Sequence, residues 1–365
     1  MTETLEILSC GAVTSIGLNA FQTSAAFRAR IASFEETIPA VPPQNPLRGA
    51  RVPARASLKR THKDWFANLA SRSIRELFGY RSVKGRIGLV MTLPERDRKH
   101  PACIETDEFL ERIESESGQQ FHVKSAVGEG GAGVLASLHS AKQLLLAGEV
   151  DACVVGGVDS LINDSDVKRL RSAGRMLEPG SPQGLIPGEG AAFLMVALEH
   201  RFRAAIARIV GMASALEVDS VLVQRCSQGR AFMSALTSAM QESSMPESSI
   251  SLRVSSVNGE HYAVWESMFY ATRFYRTRRD RLPIWYPASS VGDIGAASGT
   301  LAIILAALAI AGGNAPGPYA MCESSSETGL RAACIIGPSD KNPAPPFRPE
   351  EGACVYVLRS LTQVP

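Results

Sequence analysis

Continuous apolar runs of strand length alternate along the chain with longer segments whose apolar residues recur every three to four positions. The runs RIGLVMTL (86–93) and VDACVVGGVDS (150–160) are typical of strands that are buried on both faces. The segment HKDWFANLASRSIRELFGY (62–80) carries the apolar stripe of an amphipathic helix. This alternation predicts an α/β fold in which helices cover a mixed or parallel sheet.

Two glycine-rich turns, each with one acid, open long apolar helices. This pattern occurs in GEGGAGVLASL (128–138) and in GDIGAASGTLA (292–302), and each helix is followed by a glycine and a strand. The echo predicts two similar halves, 1–200 and 201–365, each presenting a helix N-terminus. The second half ends in a Pro-rich tail at 338–365, which either covers a sheet edge or adds an interaction element.

The order of these segments resembles that of the β-ketoacyl synthases, which have the thiolase-like fold, over nearly the whole chain. The most specific matches in residue type, spacing and order are AGEVDACVVGG (147–157) and GLIPGEGAAFLMV (184–196). Weaker matches are GAVTSIG (11–17), SSVNGEHYAVWES (255–267) and SSVGDIGAASGTLA (289–302). The resemblance implies a five-layered α-β-α-β-α arrangement of two similar halves, with the active site between them.

Family members condense acyl chains. The resemblance implies a cysteine thiolate at a sharp turn before a helix, and two histidines that stabilise the developing enolate or oxyanion. The cysteine position falls on Gly131, and no nearby register supplies a cysteine, serine or threonine. The first histidine falls on Glu260, or on His261 after a shift of one residue, and the second falls on Asp293. We therefore expect the condensing chemistry to be lost.

Three further residues have both a functional and a structural interpretation. Glu129 and Asp293 are the acids of the two echoed turns, so they either line a remodelled pocket or stabilise helix N-termini. Cys322, in MCESSSETGL, is comparable with the acid/base cysteine of biosynthetic thiolases, although the glycines of that motif are replaced here. A buried cysteine at a strand end is the alternative.

The segment RFYRTRRDR (273–281) is the densest basic run of the chain, and it contains Arg276, Arg278 and Arg279. Arginine favours bidentate contacts with anions, so the run either docks an acidic partner, such as an acyl carrier protein, or forms a solvated helix end. The formal net charge of +2 gives no support for nucleic acid as a partner.

Composition narrows the compartment and the site chemistry. The seven cysteines are dispersed and form neither a CxxC pair nor a pattern typical of metal ligands. We therefore expect a reducing, cytoplasmic location, and a protein that binds no metal or cofactor. The longest apolar run, TLAIILAALAIA (300–311), is too short to span a membrane and predicts a buried helix.

Three functions remain open at this stage. The first is a catalytically inactive β-ketoacyl-synthase-like protein that acts by binding, as an accessory or assembly factor, with a link to bacterial secretion or effector systems. The second is a non-catalytic partner of an active ketosynthase, like a chain-length factor. The resemblance implies either a homodimer or a heterodimer with a related chain, and the second function requires the heterodimer. The third is an acyltransferase or condensing enzyme with altered residues, among them Glu129, Asp293 or His261.

Overall fold

The computed structural model describes residues 4–38, 47–53, 63–80, 83–98, 105–223 and 225–340. Its strands are β1 (Leu5–Val13), β2 (Glu35–Ile38), β3 (Leu47–Gly49), β4 (Ile87–Thr92), β5 (Val123–Val127), β6 (Ala152–Ser160), β7 (Glu189–Leu198), β8 (Ala207–Leu216), β9 (Ile250–Ser255), β10 (Ile284–Trp285), β11 (Tyr319–Ser325) and β12 (Leu330–Pro338). Its helices are α1 (Ala20–Arg28), α2 (Lys63–Tyr80), α3 (Thr106–Ser117), α4 (Val134–Leu146), α5 (Asp164–Ser172), α6 (Arg230–Ser243), α7 (His261–Phe274), α8 (Ala288–Val291) and α9 (Ser298–Ala311).

The strand order repeats about the centre of one large sheet. Outward from the central antiparallel pair β1–β8, one side runs β1, β7, β6, β4, β5 and the other runs β8, β12, β11, β9, β10. On each side, the last strand of its half in chain order (β7 or β12) pairs antiparallel with both of its neighbours. The remaining pairs, β4 with β5 and β6 and β9 with β10 and β11, are parallel, so helices must connect them.

Helices α4 and α9 form a central layer, because each packs both against strands on the β1 side of the strand order and against strands on the β8 side. Helices α2 and α3 cover one outer face, and α6 and α7 cover the other. One cluster of buried apolar side chains surrounds the central helices, and a further cluster lies under each pair of outer helices. The five-layered α-β-α-β-α arrangement expected from the sequence is therefore confirmed.

The apolar run at 300–311 lies in α9, in the middle of this core, where all of its residues but Leu308, Ile310 and Ala311 are buried. In the described ranges, no helix is both long and apolar enough to cross a bilayer. The Pro-rich tail lies outside the described residues from 341 onward. Its first part ends near β8, where Asp340 accepts a hydrogen bond from Arg208 at 2.5 Å.

Candidate functional site

The two glycine turns meet between the two sides of the sheet. Each forms a short 3₁₀ turn, at Gly131–Gly133 before α4 and at Gly295–Ala297 before α9. A Cβ atom built on Gly131 would lie 3.1 Å from the carbonyl oxygens of both Gly295 and Ser325. The position expected for a nucleophile therefore lies at the carboxyl ends of parallel strands, where α/β sheets bind ligands.

Carboxylates explain why two of these positions need glycine. Gly130 and Gly295 adopt φ angles of +64° and +50°, in the left-handed region that side chains rarely adopt. A Cβ atom on Gly130 would overlap the carboxylate of Glu95, and one on Gly295 would overlap that of Asp159. The turns are thus fitted to acidic side chains that approach their backbones closely.

A cavity of about 60 Å³ lies between the turns. At roughly 15 Å³ for each water molecule, it holds a few waters and not an extended acyl chain. Among the residues that the structure describes, no cysteine or histidine lines it. Its lining includes Gly131, Glu260 and Asp293, together with Glu95, Arg98, Arg175, Asn258, Glu266, Ser325, Ser326, Glu327 and Arg331.

Arg98 anchors the first part of a buried ionic network around this cavity. Its guanidinium group makes two hydrogen bonds to Asp159, at 2.6 and 3.0 Å, and two to Asp166, at 3.0 and 2.8 Å. Glu95 lies 3.5 Å from the same group. Burial raises the pKa of Glu95, because the charged carboxylate loses its hydration, although Arg98 opposes this shift.

Arg175 anchors the second part and joins residues of the two halves of the chain. It binds Glu260 through two hydrogen bonds, at 2.5 and 2.9 Å, and lies 2.8 Å from Glu327. Burial alone would raise the pKa of Glu327, but Arg175 and Arg169 hold it below its ordinary value. Glu327 is therefore ionised at neutral pH, and it binds Arg169 at 2.7 Å as well.

Asn258 links the two acids at the expected histidine positions. Its amide donates to Glu260 at 2.9 Å and to Asp293 at 2.7 Å. Asp293 also accepts a hydrogen bond from the backbone amide of Gly295 at 2.8 Å. Burial raises the pKa of Asp293, and these two hydrogen bonds offset only part of that shift.

The side chain of Ser326, which follows β11, binds the backbone of the first glycine turn. Its hydroxyl accepts a hydrogen bond from the backbone amide of Ala132 at 2.9 Å and donates to the carbonyl oxygen of Glu129. The amide of Ala132 is therefore already satisfied by the protein itself. It is not free to stabilise the oxyanion of a bound acyl group.

The remaining predicted residues lie outside the cavity. His261 is exposed at the start of α7 and stacks on Trp265, while its neighbour Glu260 points into the network. The side chain of Glu129 is exposed. Cys322 is buried in β11, where its thiol lies 3.5 Å from the carbonyl oxygen of Ala302, and burial raises its pKa well above the ordinary value.

The basic run is only partly a solvated helix end. Helix α7 ends at Phe274, so Arg276, Arg278 and Arg279 follow it in the connection to β10. Arg276 and Arg278 are exposed, whereas Arg279 binds Glu247 and the carbonyl oxygen of Ile250. None of the three lines the cavity.

Sequence reasoning missed the cations of the network. Glu95 and Arg98 directly follow the buried strand β4, and charged residues in that position were an available signal. Arg175 and Glu327 follow no motif, and the ion pairs of Arg175 join segments that are far apart in the chain. The site therefore contains charge and hydrogen bonds but, in its described lining, neither a thiol nor an imidazole.

Comparison with protein families finds one match. Residues 121–201 match the N-terminal domain of β-ketoacyl synthases, a segment that contains the first glycine turn, α4, β6 and β7. A comparison with curated proteins finds no match.

Solved ketosynthases have the same fold. The ishigamide ketosynthase/chain length factor is 15% identical, with a TM-score of 0.72 and coverage of 92% of this chain and 99% of that one. AntDE:AntF, a type II polyketide synthase acyl carrier protein in complex with its ketosynthase, gives 12% identity, a TM-score of 0.76 and coverage of 93% and 100%. The ketosynthase from module 6 of the Bacillus subtilis bacillaene synthase gives 14% identity, a TM-score of 0.72 and coverage of 92% of this chain and 72% of that one. The chain is thus β-ketoacyl-synthase-like, with the thiolase-like fold.

Proposed function

We propose that this β-ketoacyl-synthase-like chain no longer condenses acyl groups and acts by binding a protein partner, as an accessory or assembly factor. The observation that carries this proposal is that Gly131, which the sequence resemblance assigns to the cysteine position, lines a cavity surrounded by paired charges. A thioester cannot form on a residue without a side chain. Glu260 and Asp293, at the histidine positions, are acids that would repel a developing enolate if ionised.

The cavity supports the same proposal. Its volume of about 60 Å³ leaves no room for a growing acyl chain. Arg175, Glu260 and Glu327 line the same cavity as Gly131, so a substrate that separated them from one another would leave charges buried without partners. The partner classes that follow are an acyl carrier protein, a related chain and a secretion-associated protein, the last from sequence resemblance alone. The unpaired state of the five described cysteines fits a cytoplasmic location.

Covalent acylation tests the loss of the first chemical step. The purified protein is incubated with acyl-CoA and with acylated carrier protein, and its intact mass is measured. We expect no acyl adduct beyond the level seen on a denatured sample. An adduct that disappears with Asp293→Asn or His261→Ala would support an enzyme with altered chemistry instead.

A chain-length-factor-like role is the second candidate. It is favoured by the structural similarity to the ishigamide ketosynthase/chain length factor, which spans 99% of that protein. In this case the chain pairs with a cysteine-bearing ketosynthase and affects its product. Co-expression with such an enzyme and size-exclusion chromatography distinguish the two: a stable heterodimer favours this candidate, and a homodimer that excludes the enzyme counts against it.

A further inference from the structure

Three of the large apolar side chains that are exposed in the described residues lie together on one side of α7. Val264, Trp265 and Met268 are 41%, 41% and 58% exposed, although helices normally bury such residues. Leu177 and Tyr286, at 36% and 37%, lie across from this helix on the other wall of a groove. Contiguous exposed apolar surface on a monomer marks a binding site more often than single exposed residues do.

The groove itself is large and uncharged. Its volume is about 540 Å³, and Val264 and Met268 form one wall while Ile186, Tyr286 and Ala288 contribute to the other. Among the described residues that line it, none is charged. It meets the charged cavity only at Asn258, which lines both. The groove therefore suits the apolar face of a partner rather than its charges.

A ladder of flat side chains runs along α7 beside the groove and ends in arginine. His261 stacks on Trp265 with ring centroids 5.6 Å apart, and Trp265 meets Phe269 edge-on at 5.5 Å. The guanidinium group of Arg273 then lies over the ring of Phe269, 5.5 Å from its centroid. This four-residue spacing gives one continuous stripe on the helix surface.

Positive charge continues beyond the end of this stripe. Arg276, Arg278 and Arg281 are exposed, and no ion pair to any of them is found in the described part of the chain. Asp280 is the single acid between Arg273 and Arg281. The groove and the aromatic stripe thus lie side by side on α7, and the arginine cluster follows the end of the helix. This pattern is complementary to an amphipathic helix with acidic residues at one end.

We propose that this surface, which we call the α7 groove, binds an acidic amphipathic helix of a partner protein. Apolar side chains of the partner enter the groove beside Val264 and Met268, and its carboxylates pair with Arg276 and Arg278. A second copy of this chain fits less well. In a two-fold contact the arginine end of one α7 would meet the first turn of the other, where the exposed residues His261, Val264 and Trp265 offer no carboxylate. This proposal rests on the proposed function, because it names the class of partner.

The test uses a defined peptide as the probe. The peptide has about 18 residues, with leucines at helical spacing and glutamates at one end, and it carries a fluorescent label for anisotropy. One control peptide has the same composition with the periodicity scrambled, and another has lysine in place of glutamate. Tryptophan emission gives a second signal, because burial of the exposed Trp265 by a partner shifts it to shorter wavelength, and Trp265→Phe should remove that change.

We expect the acidic amphipathic peptide to bind at least about tenfold more tightly than either control peptide. Met268→Asp and the double change Arg276→Glu with Arg278→Glu should each weaken this binding about tenfold or more, and added salt should weaken it further. Leu146→Asp and Arg203→Glu, at exposed positions away from the groove, serve as matched controls and should leave it unchanged.

Equal binding of the three peptides, or no binding at millimolar concentration, overturns the proposal. Self-association that Met268→Asp abolishes would overturn it too, because the occupant would then be a second copy. Neither result bears on the missing thioester chemistry. The proposed function fails separately, when the unmodified chain forms an acyl adduct above the level seen on the denatured sample.

Discussion

Removing the charge of Arg175 tests whether the ionic network holds the two halves of the chain together. The side chain is 10% exposed, and its partners Glu260 and Glu327 are 9% and 17% exposed. Arg175→Met keeps most of the length and apolar volume but leaves Glu260 without its bidentate partner. Breaking one side of a buried ion pair costs about 3–5 kcal/mol. Asn258 and Arg169 still contact the two acids, so we expect a loss near the lower end, about 3 kcal/mol.

The assay is chemical denaturation followed by the midpoint of the first unfolding transition, with the slope held constant. Arg112→Met is the matched control, because Arg112 is 35% exposed and makes only surface ion pairs in the described residues, with Glu116 at 2.9 Å and with Asp64 of α2. Such an exposed pair contributes about 0–1 kcal/mol. In a double-mutant cycle with Glu260→Gln, we expect a coupling energy of about 2 kcal/mol.

Two outcomes would refute the reasoning. A cost below about 1 kcal/mol for Arg175→Met would place the network among weak surface pairs. A cost equal to that of Arg112→Met would mean that burial and bidentate geometry add nothing. Either result would remove the energetic argument against separating these charges.

Three other changes have definite expected outcomes. Gly131→Cys should cost about 1–3 kcal/mol of unfolding free energy by overpacking, because the new Cβ would lie 3.1 Å from two carbonyl oxygens. The intact mass of this variant should show no acylation by acyl-CoA, because the nearby acids disfavour the thiolate. Glu95→Gln should gain stability relative to the unmodified chain as the pH rises above about 4.3. Burial raises the folded-state pKa of Glu95, so the contribution of Glu95 to the free energy of unfolding is full below the unfolded-state pKa and is lost at higher pH. A difference in unfolding free energy between the two proteins that stays flat from pH 4 to 8 would contradict this. Alkylation of the native protein, mapped by peptide mass, should modify exposed Cys226 and spare the four buried described cysteines, Cys10, Cys153, Cys322 and Cys334; modification of Cys322 at the rate of Cys226 would contradict its burial.

The fold was predictable because apolar runs identify buried elements directly. The run at 300–311 predicted the central helix α9, and VDACVVGGVDS (150–160) predicted β6. Short or edge strands gave a weaker signal. β5 has only partly buried and exposed residues, and β10 is two residues long, so neither has the apolar run of a core strand.

The site was predictable only at the positions that the glycine turns fix. Gly131 belongs to the first turn and Asp293 to the second, and because the two turns face each other, both residues line the same cavity. The choice between Glu260 and His261 depended on where α7 begins: the helix starts at His261 and turns that side chain outward. Arg175 carried no local signal, because its partners are set by the tertiary fold alone.

Release of carbon dioxide from a malonyl thioester tests the central claim most directly. This decarboxylation needs a stabilised enolate but no acylated cysteine, so it reports on the two histidine positions that the sequence resemblance assigns to Glu260 and Asp293. The purified chain is incubated with a malonyl group on CoA or on a carrier protein, beside an active ketosynthase. We expect release no faster than in buffer. Release above that background, abolished by Asp293→Asn, would contradict the claim that the condensing chemistry has been lost.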